Sequence, residues 1–136
     1  MKLYFVRHGE TEWNTQRRFQ GRKNSPLTAR GEEQAKKIAE QLKEIPFTSL
    51  YSSSLGRAKK TAQEIQKGRE IPIEIMDEFI EISMGELEGK TKGDFFKLYP
   101  EEYEKYIQAD LNYNPAAFSG ERFEEIQARL KQGMQK

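Results

Sequence analysis

The chain has 136 residues, one histidine, no cysteine and a formal net charge of +1, with 33% charged residues, 35% hydrophobic residues and a mean hydropathy of -0.92. That length suits one domain able to bury about 65–70% of the surface of its unfolded chain, so residues 1–136 are expected to form a single domain with a charged surface. Without cysteine there are no disulfide scaffolds, thiolate nucleophiles or cysteine-based zinc sites, and the basic pairs Arg17–Arg18, Lys36–Lys37 and Lys59–Lys60 are too interrupted by acids for a nucleic-acid tract or polybasic membrane patch.

Met1 leads into a short strand pattern rather than a long apolar signal core, and no apolar run approaches membrane-spanning length. A cytoplasmic protein is expected. Leu3-Tyr4-Phe5-Val6 is continuously apolar and rich in aromatic and branched residues, which predicts a strand buried on both faces with His8 just past its carboxyl end. Thr28 is placed to cap a helix with Ala35, Ile38, Ala39 and Leu42 on one stripe and Pro46 beyond its end. "FTSLYSS" predicts a second strand.

A second helix is predicted from about Leu55 to Gln66, capped by Ser54, with Ala58, Ala62 and Ile65 on one face and Gly68 as its stop. "IPIEIM" reads as a third strand. Strands alternating with helices at these lengths predict βαβ units and an α/β fold, a parallel sheet with helices on its faces. After Gly89 the pattern is helical: Thr91–Tyr99, Glu101–Ala109 after Pro100, and a stripe of Phe123, Ile126, Leu130 and Met134.

In open α/β sheets ligands bind outside the carboxyl ends of the strands. Three polar clusters are predicted there: Arg7-His8-Gly9, Ser52–Arg57 and Glu81–Gly89. They supply a histidine, two arginines and a carboxylate, an inventory suited to phosphoryl transfer because arginine forks match phosphate oxygens and stay charged. A neutral imidazole accepts a phosphoryl group when one ring nitrogen is held by a hydrogen bond and the other faces phosphorus. Glu81 would protonate the leaving oxygen and later activate water. Each residue also has an ordinary reading, as a structural histidine, a solvated arginine or one of seven acids between Glu70 and Glu88; their joint placement is what favours chemistry. "GELEGKT" is not read as a phosphate loop, since Gly85 and Gly89 are separated by three residues instead of four, and Glu86 and Glu88 would repel phosphate.

"RHGETEWN", "FQGRKNSPLTARGEEQA", "YSSSLGRAKKTA" and "EISMGELEGK", in that order, resemble the histidine phosphatase superfamily, also called phosphoglycerate mutase-like proteins. The resemblance implies a three-layer α/β/α sandwich with a mostly parallel sheet. It makes His8 the phosphorylated nucleophile, Arg7 and Arg57 the phosphate binders, Asn14 a further hydrogen-bond donor and Glu81 the proton donor, with Gln20 and Gly21 in the substrate-contacting loop. It implies no metal and no cofactor, a small phosphorylated metabolite as partner, no nucleic acid or membrane partner, and leaves an oligomer open. "SPLTARGEEQA" and "EISMGELEGK" look like the broad-specificity and α-ribazole phosphatase branch, and the glutamate-arginine pair usual in phosphoglycerate mutases is replaced by Glu81-Ile82-Ser83-Met84. Phosphatase is thus the first expectation and mutase the alternative.

Family members also carry a second active-site histidine on a later strand, and no histidine follows His8 here. The chain is therefore expected to be the amino-terminal part of the family domain. Three explanations stay open: a retained portion of a longer protein, a natural truncation completed by swapping or a partner strand, or a non-catalytic phosphate-binding module.

Overall fold

A computed structural model describes all residues from Met1 to Lys136. Its elements are α1 (Glu12–Thr15), α2 (Ala29–Leu42), β1 (Leu50–Ser52), α3 (Gly56–Gln66), β2 (Ile73–Ile75), α4 (Lys92–Leu98), α5 (Pro100–Ile107) and α6 (Phe123–Met134), with three short 3-10 turns. The result is a helix-rich α/β fold with a small parallel sheet. Two compact units share the chain: Met1–Glu12 with Ser25–Asp77, and Trp13–Asn24 with Glu78–Lys136.

The first unit is built on a βαβ segment. β1 pairs in parallel with β2, in the register Leu50 with Ile73 and Ser52 with Ile75, and α3 makes the crossover. α2 packs on α3, burying Ala35, Ala62 and Ile65. Small residues on the facing stripes let the two helices approach closely. The Thr28 side chain accepts from Gly31 N at 3.0 Å, which places the start of α2 where the capping pattern predicts it. Past its other end Arg69 donates to the carbonyl of Leu42, the last residue of α2, and to that of Ile45, and lies 4.4 Å over the Phe47 ring, so a distant loop ties down the chain that leaves the helix.

Two local expectations are corrected. Ser54 does not cap α3: Leu55 holds the N-cap position without a side-chain bond, and the Ser54 amide instead donates to Asp77 Oδ1 at 2.7 Å. Leu3–Val6 forms no strand, and Phe5 is 75% exposed. A strand exists through its ladder; the apolar character of these four residues is local, whereas a pairing neighbour is not, and β1 pairs with β2 alone. Tyr4 instead sets its ring edge-on to Phe47 at 5.3 Å.

The second unit is held by aromatic packing. Phe95, fully buried on α4, has the rings of Tyr103, Phe118, Tyr106 and Phe19 around it at 5.4–5.8 Å, all edge-on. Met84, Leu87 and Tyr113 complete the core. Thr91 and Asp94 form a reciprocal capping box at the start of α4, and Pro100 opens α5 where its missing N–H costs nothing. Gly85 has φ +53°, and a β-carbon there would sit 2.0 Å from the Phe118 carbonyl oxygen, so this turn admits only glycine. The stripe predicted on α6 is partly covered: Phe123 and Ile126 are half-buried, whereas Met134 is 53% exposed.

Candidate functional site

The residues singled out in the sequence divide between the two units. Arg7, His8 and Arg57 belong to the first; Asn14, Gln20, Gly21 and Glu81 belong to the second.

In the first unit His8 is half-buried and its Nδ1 lies 2.7 Å from the carbonyl oxygen of Gly9. A carbonyl can only accept, so Nδ1 carries the hydrogen and, in the neutral ring, Nε2 carries the lone pair. The main chain beside the imidazole is fixed by contacts that require its glycine. Gly9 N donates to Thr61 Oγ1 at 3.2 Å, and Thr61 Oγ1 donates to the Arg57 carbonyl at 2.9 Å. This chain of bonds brings the His8 segment to the first turn of α3, where Arg57 sits. A β-carbon on Gly9 would lie 2.3 Å from the Gly31 carbonyl oxygen, so the "RHG" turn fits only against the "ARG" turn that opens α2.

Arg57 is 2% exposed and is the second residue of α3. Burial and the positive end of a helix both disfavour a cation there, and an anion beside the guanidinium would offset both. Arg7 is exposed.

In the second unit Asn14 lies on the single-turn α1, and the following loop carries Gln20 and Gly21, both buried. Phe19 N donates to Lys90 O, and Gly89 N donates to Phe19 O at 2.7 Å, which ties this loop to the 81–91 segment. Gly21 has φ +52°, and a β-carbon on it would sit 2.1 Å from Glu88 Oε2. Glu88 is the partner the sequence reading missed. It is 8% exposed, and its carboxylate accepts from the amides of Arg22, Lys23 and Met84 at 3.2, 3.1 and 2.9 Å. The negative charge of "GELEGK" was the only signal for it in the sequence.

Glu81 lines an open apolar groove of about 570 Å³ together with Ile80, Ile82, Tyr106, Phe123 and Ile126, and is the only carboxylate among the lining residues. Tyr106 thus has one face on the groove and one on the core; burial first, and the Glu81 charge second, push its phenol above the usual range. Tyr99 and Tyr103 pack on the aromatic core, and Tyr113 is buried in it.

A second buried carboxylate, Glu121, accepts a fork from Arg129 at 2.7 and 3.1 Å and the Ser83 amide at 3.1 Å. Burial raises its pKa, but the Arg129 and Ser83 hydrogen bonds together with the charges of Arg129 and Arg22 outweigh burial and hold the group below the ordinary glutamate value. Its ionised form therefore stabilises the fold fully above the unfolded pKa, and that contribution is lost as pH falls through the lowered folded pKa. Urea midpoints measured from neutral to acid pH should fall for the parent, and Glu121→Gln should flatten that acid limb; parallel curves would refute it.

Comparison with known proteins places these features in a family. Residues 3–136 match the model of the histidine phosphatase superfamily, branch 1. The structure is similar to Bacillus stearothermophilus YhfR, with TM-score 0.89 and 38% identity over 95% of this chain and 63% of that one. It is also similar to the alpha-ribazole phosphatase from Shigella flexneri, with TM-score 0.84 and 30% identity over 96% of this chain and 63% of that one. A curated relative from Escherichia fergusonii, named "Probable phosphoglycerate mutase GpmB", is 46% identical over 91 residues, which are 67% of this chain. The match spans 42% of that relative's length. The chain belongs to the histidine phosphatase superfamily and has its phosphoglycerate mutase-like fold. No helix is long and apolar enough to cross a membrane.

Proposed function

We propose that the protein is a cytoplasmic phosphatase that hydrolyses small phosphomonoesters through a phosphohistidine at His8, without a metal ion. The observation that carries this reading is the bond from His8 Nδ1 to Gly9 O, which leaves the lone pair of the neutral ring on Nε2. In the first step Nε2 attacks phosphorus, the ester P–O bond breaks, and Glu81 gives its proton to the departing oxygen. In the second, Glu81 takes a proton from water, which displaces the phosphoryl group from Nε2 as inorganic phosphate. Arg7 and Arg57 neutralise the equatorial oxygens in both transition states, Asn14 donates to them, and the loop with Gln20 and Gly21 contacts the substrate.

The relative named as a phosphoglycerate mutase favours a second reading, in which the phosphoryl group returns to another hydroxyl instead of to water. The two separate cleanly. The intact polypeptide should release phosphate from p-nitrophenyl phosphate with a chelator present, and should turn over 3-phosphoglycerate with a bisphosphoglycerate primer mainly to free phosphate. Strict magnesium dependence would remove the metal-free mechanism, and isomerisation outpacing hydrolysis would favour the mutase.

A further inference from the structure

Glu81 lies in a stretch without helix or strand, so no repeating backbone pattern holds its carboxyl in place. Its Oε1 accepts from the amide of Ile82 at 2.9 Å, so the carboxyl follows the main chain at 81–82. That main chain is held by side chains. Arg129 Nη1 donates to Glu78 O at 2.8 Å, Ser83 N to Glu121 Oε2 at 3.1 Å and Met84 N to Glu88 Oε2 at 2.9 Å. The main-chain carbonyl of residue 81 itself is held by Arg22, whose Nε donates to Glu81 O at 2.9 Å. Arg22 Nη2 also reaches Glu121 Oε2 at 3.4 Å, and its own amide donates to Glu88 Oε2 at 3.2 Å. Arg22 immediately follows Gly21.

We propose that Arg22 is a positioning residue for Glu81, locking the main chain under the proton donor to the loop that carries Gln20 and Gly21. The inference rests on the reading of Glu81 as the proton donor. In the step it serves, the P–Nε2 bond forms at His8 as the P–O bond breaks, and the Glu81 proton passes to the ester oxygen, leaving a free alcohol and a Glu81 carboxylate. Arg22 touches none of these atoms; it sets where the carboxyl stands. Its side chain is 41% exposed, so its removal leaves no cavity in the core.

A structural role and a positioning role differ in their dependence on the leaving group. An alkyl phosphate needs a proton on its departing oxygen, whereas p-nitrophenyl phosphate loses a stable phenolate and needs one far less. The test compares kcat/KM for both esters in the intact polypeptide, because that ratio reports steps up to the phosphoenzyme. Glu81→Gln should lose about 100-fold more on the alkyl ester than on the aryl one. Arg22→Ala should lose about tenfold more on the alkyl ester, and Arg22→Lys, which keeps the charge but cannot span Glu81 O and Glu121, should do the same. In the Glu81→Gln background, Arg22→Ala should add no further selectivity. If Glu81→Gln is selective while both Arg22 variants slow the two esters equally or not at all, the positioning role is wrong and the proton donor stands. If Glu81→Gln shows no leaving-group dependence, the donor assignment fails and the role of Arg22 falls with it.

Discussion

His8→Ala should lower kcat/KM for phosphomonoester hydrolysis by at least about 10⁴-fold, because loss of a nucleophile removes the covalent route and not one contact among several. The same substitution should cost no more than about 1 kcal/mol of stability. The basis for that contrast is local: the ring's Nδ1 bonds to the next residue, Gly9, while the main chain around it is secured by Gly9 N on Thr61 and by the close approach to Gly31. A histidine serving only to hold the turn would show the opposite pattern, with stability falling and the remaining folded protein fully active. Steady-state rates on p-nitrophenyl phosphate beside urea unfolding of the same samples separate the two. Retained activity in the variant would mean that the histidine is structural.

Phe95→Ala should destabilise the protein by about 3–5 kcal/mol, the cost of deleting a fully buried aromatic ring whose surroundings cannot collapse into the space. Four rings contact Phe95 edge-on, from the loop at Phe19, from α5 at Tyr103 and Tyr106, and from the turn at Phe118. Removing the ring therefore frees elements far apart in the chain at once. Phe96 is the matched control: adjacent in sequence, 51% exposed and edge-on to the one ring of Tyr103 at 5.5 Å. Phe96→Ala should cost less than about 1 kcal/mol. Similar shifts in the urea midpoint for both variants would mean that the core does not centre on Phe95.

The parts of the fold legible in the sequence are those whose causes are local. Thr28 and the Ala35, Ile38, Ala39 and Leu42 stripe lie within one helix, and α2 forms where they place it. Pro100 and Thr91 mark the starts of α5 and α4 for the same reason. Leu3–Val6 shows the limit: its composition suits a strand, but pairing depends on a neighbour that composition does not supply. Ser54 shows another: its main chain is tied to Asp77, 23 residues away, and the N-cap position falls one residue later, at Leu55.

The candidate site divides along the same line. His8, Arg7, Arg57 and Glu81 stand in compact motifs, and those motifs carry the family resemblance. The residues that hold them do not. Thr61 under Gly9, Glu88 under Gly21, and Arg22 under Glu81 reach across 52 to 67 positions of sequence. Read singly, Glu88 is one acid among many, and only the bond pattern shows that a buried carboxylate organises the loop.

The most direct test of phosphoryl transfer to His8 is to mix the intact polypeptide with a slowly hydrolysed phosphomonoester, quench in alkali, digest, and locate the modification by mass spectrometry. A phosphoryl group on the peptide containing His8, stable in alkali and lost in acid, is the expected result. A phosphoryl group on any other residue, or turnover that proceeds in His8→Ala with no such adduct, would contradict it.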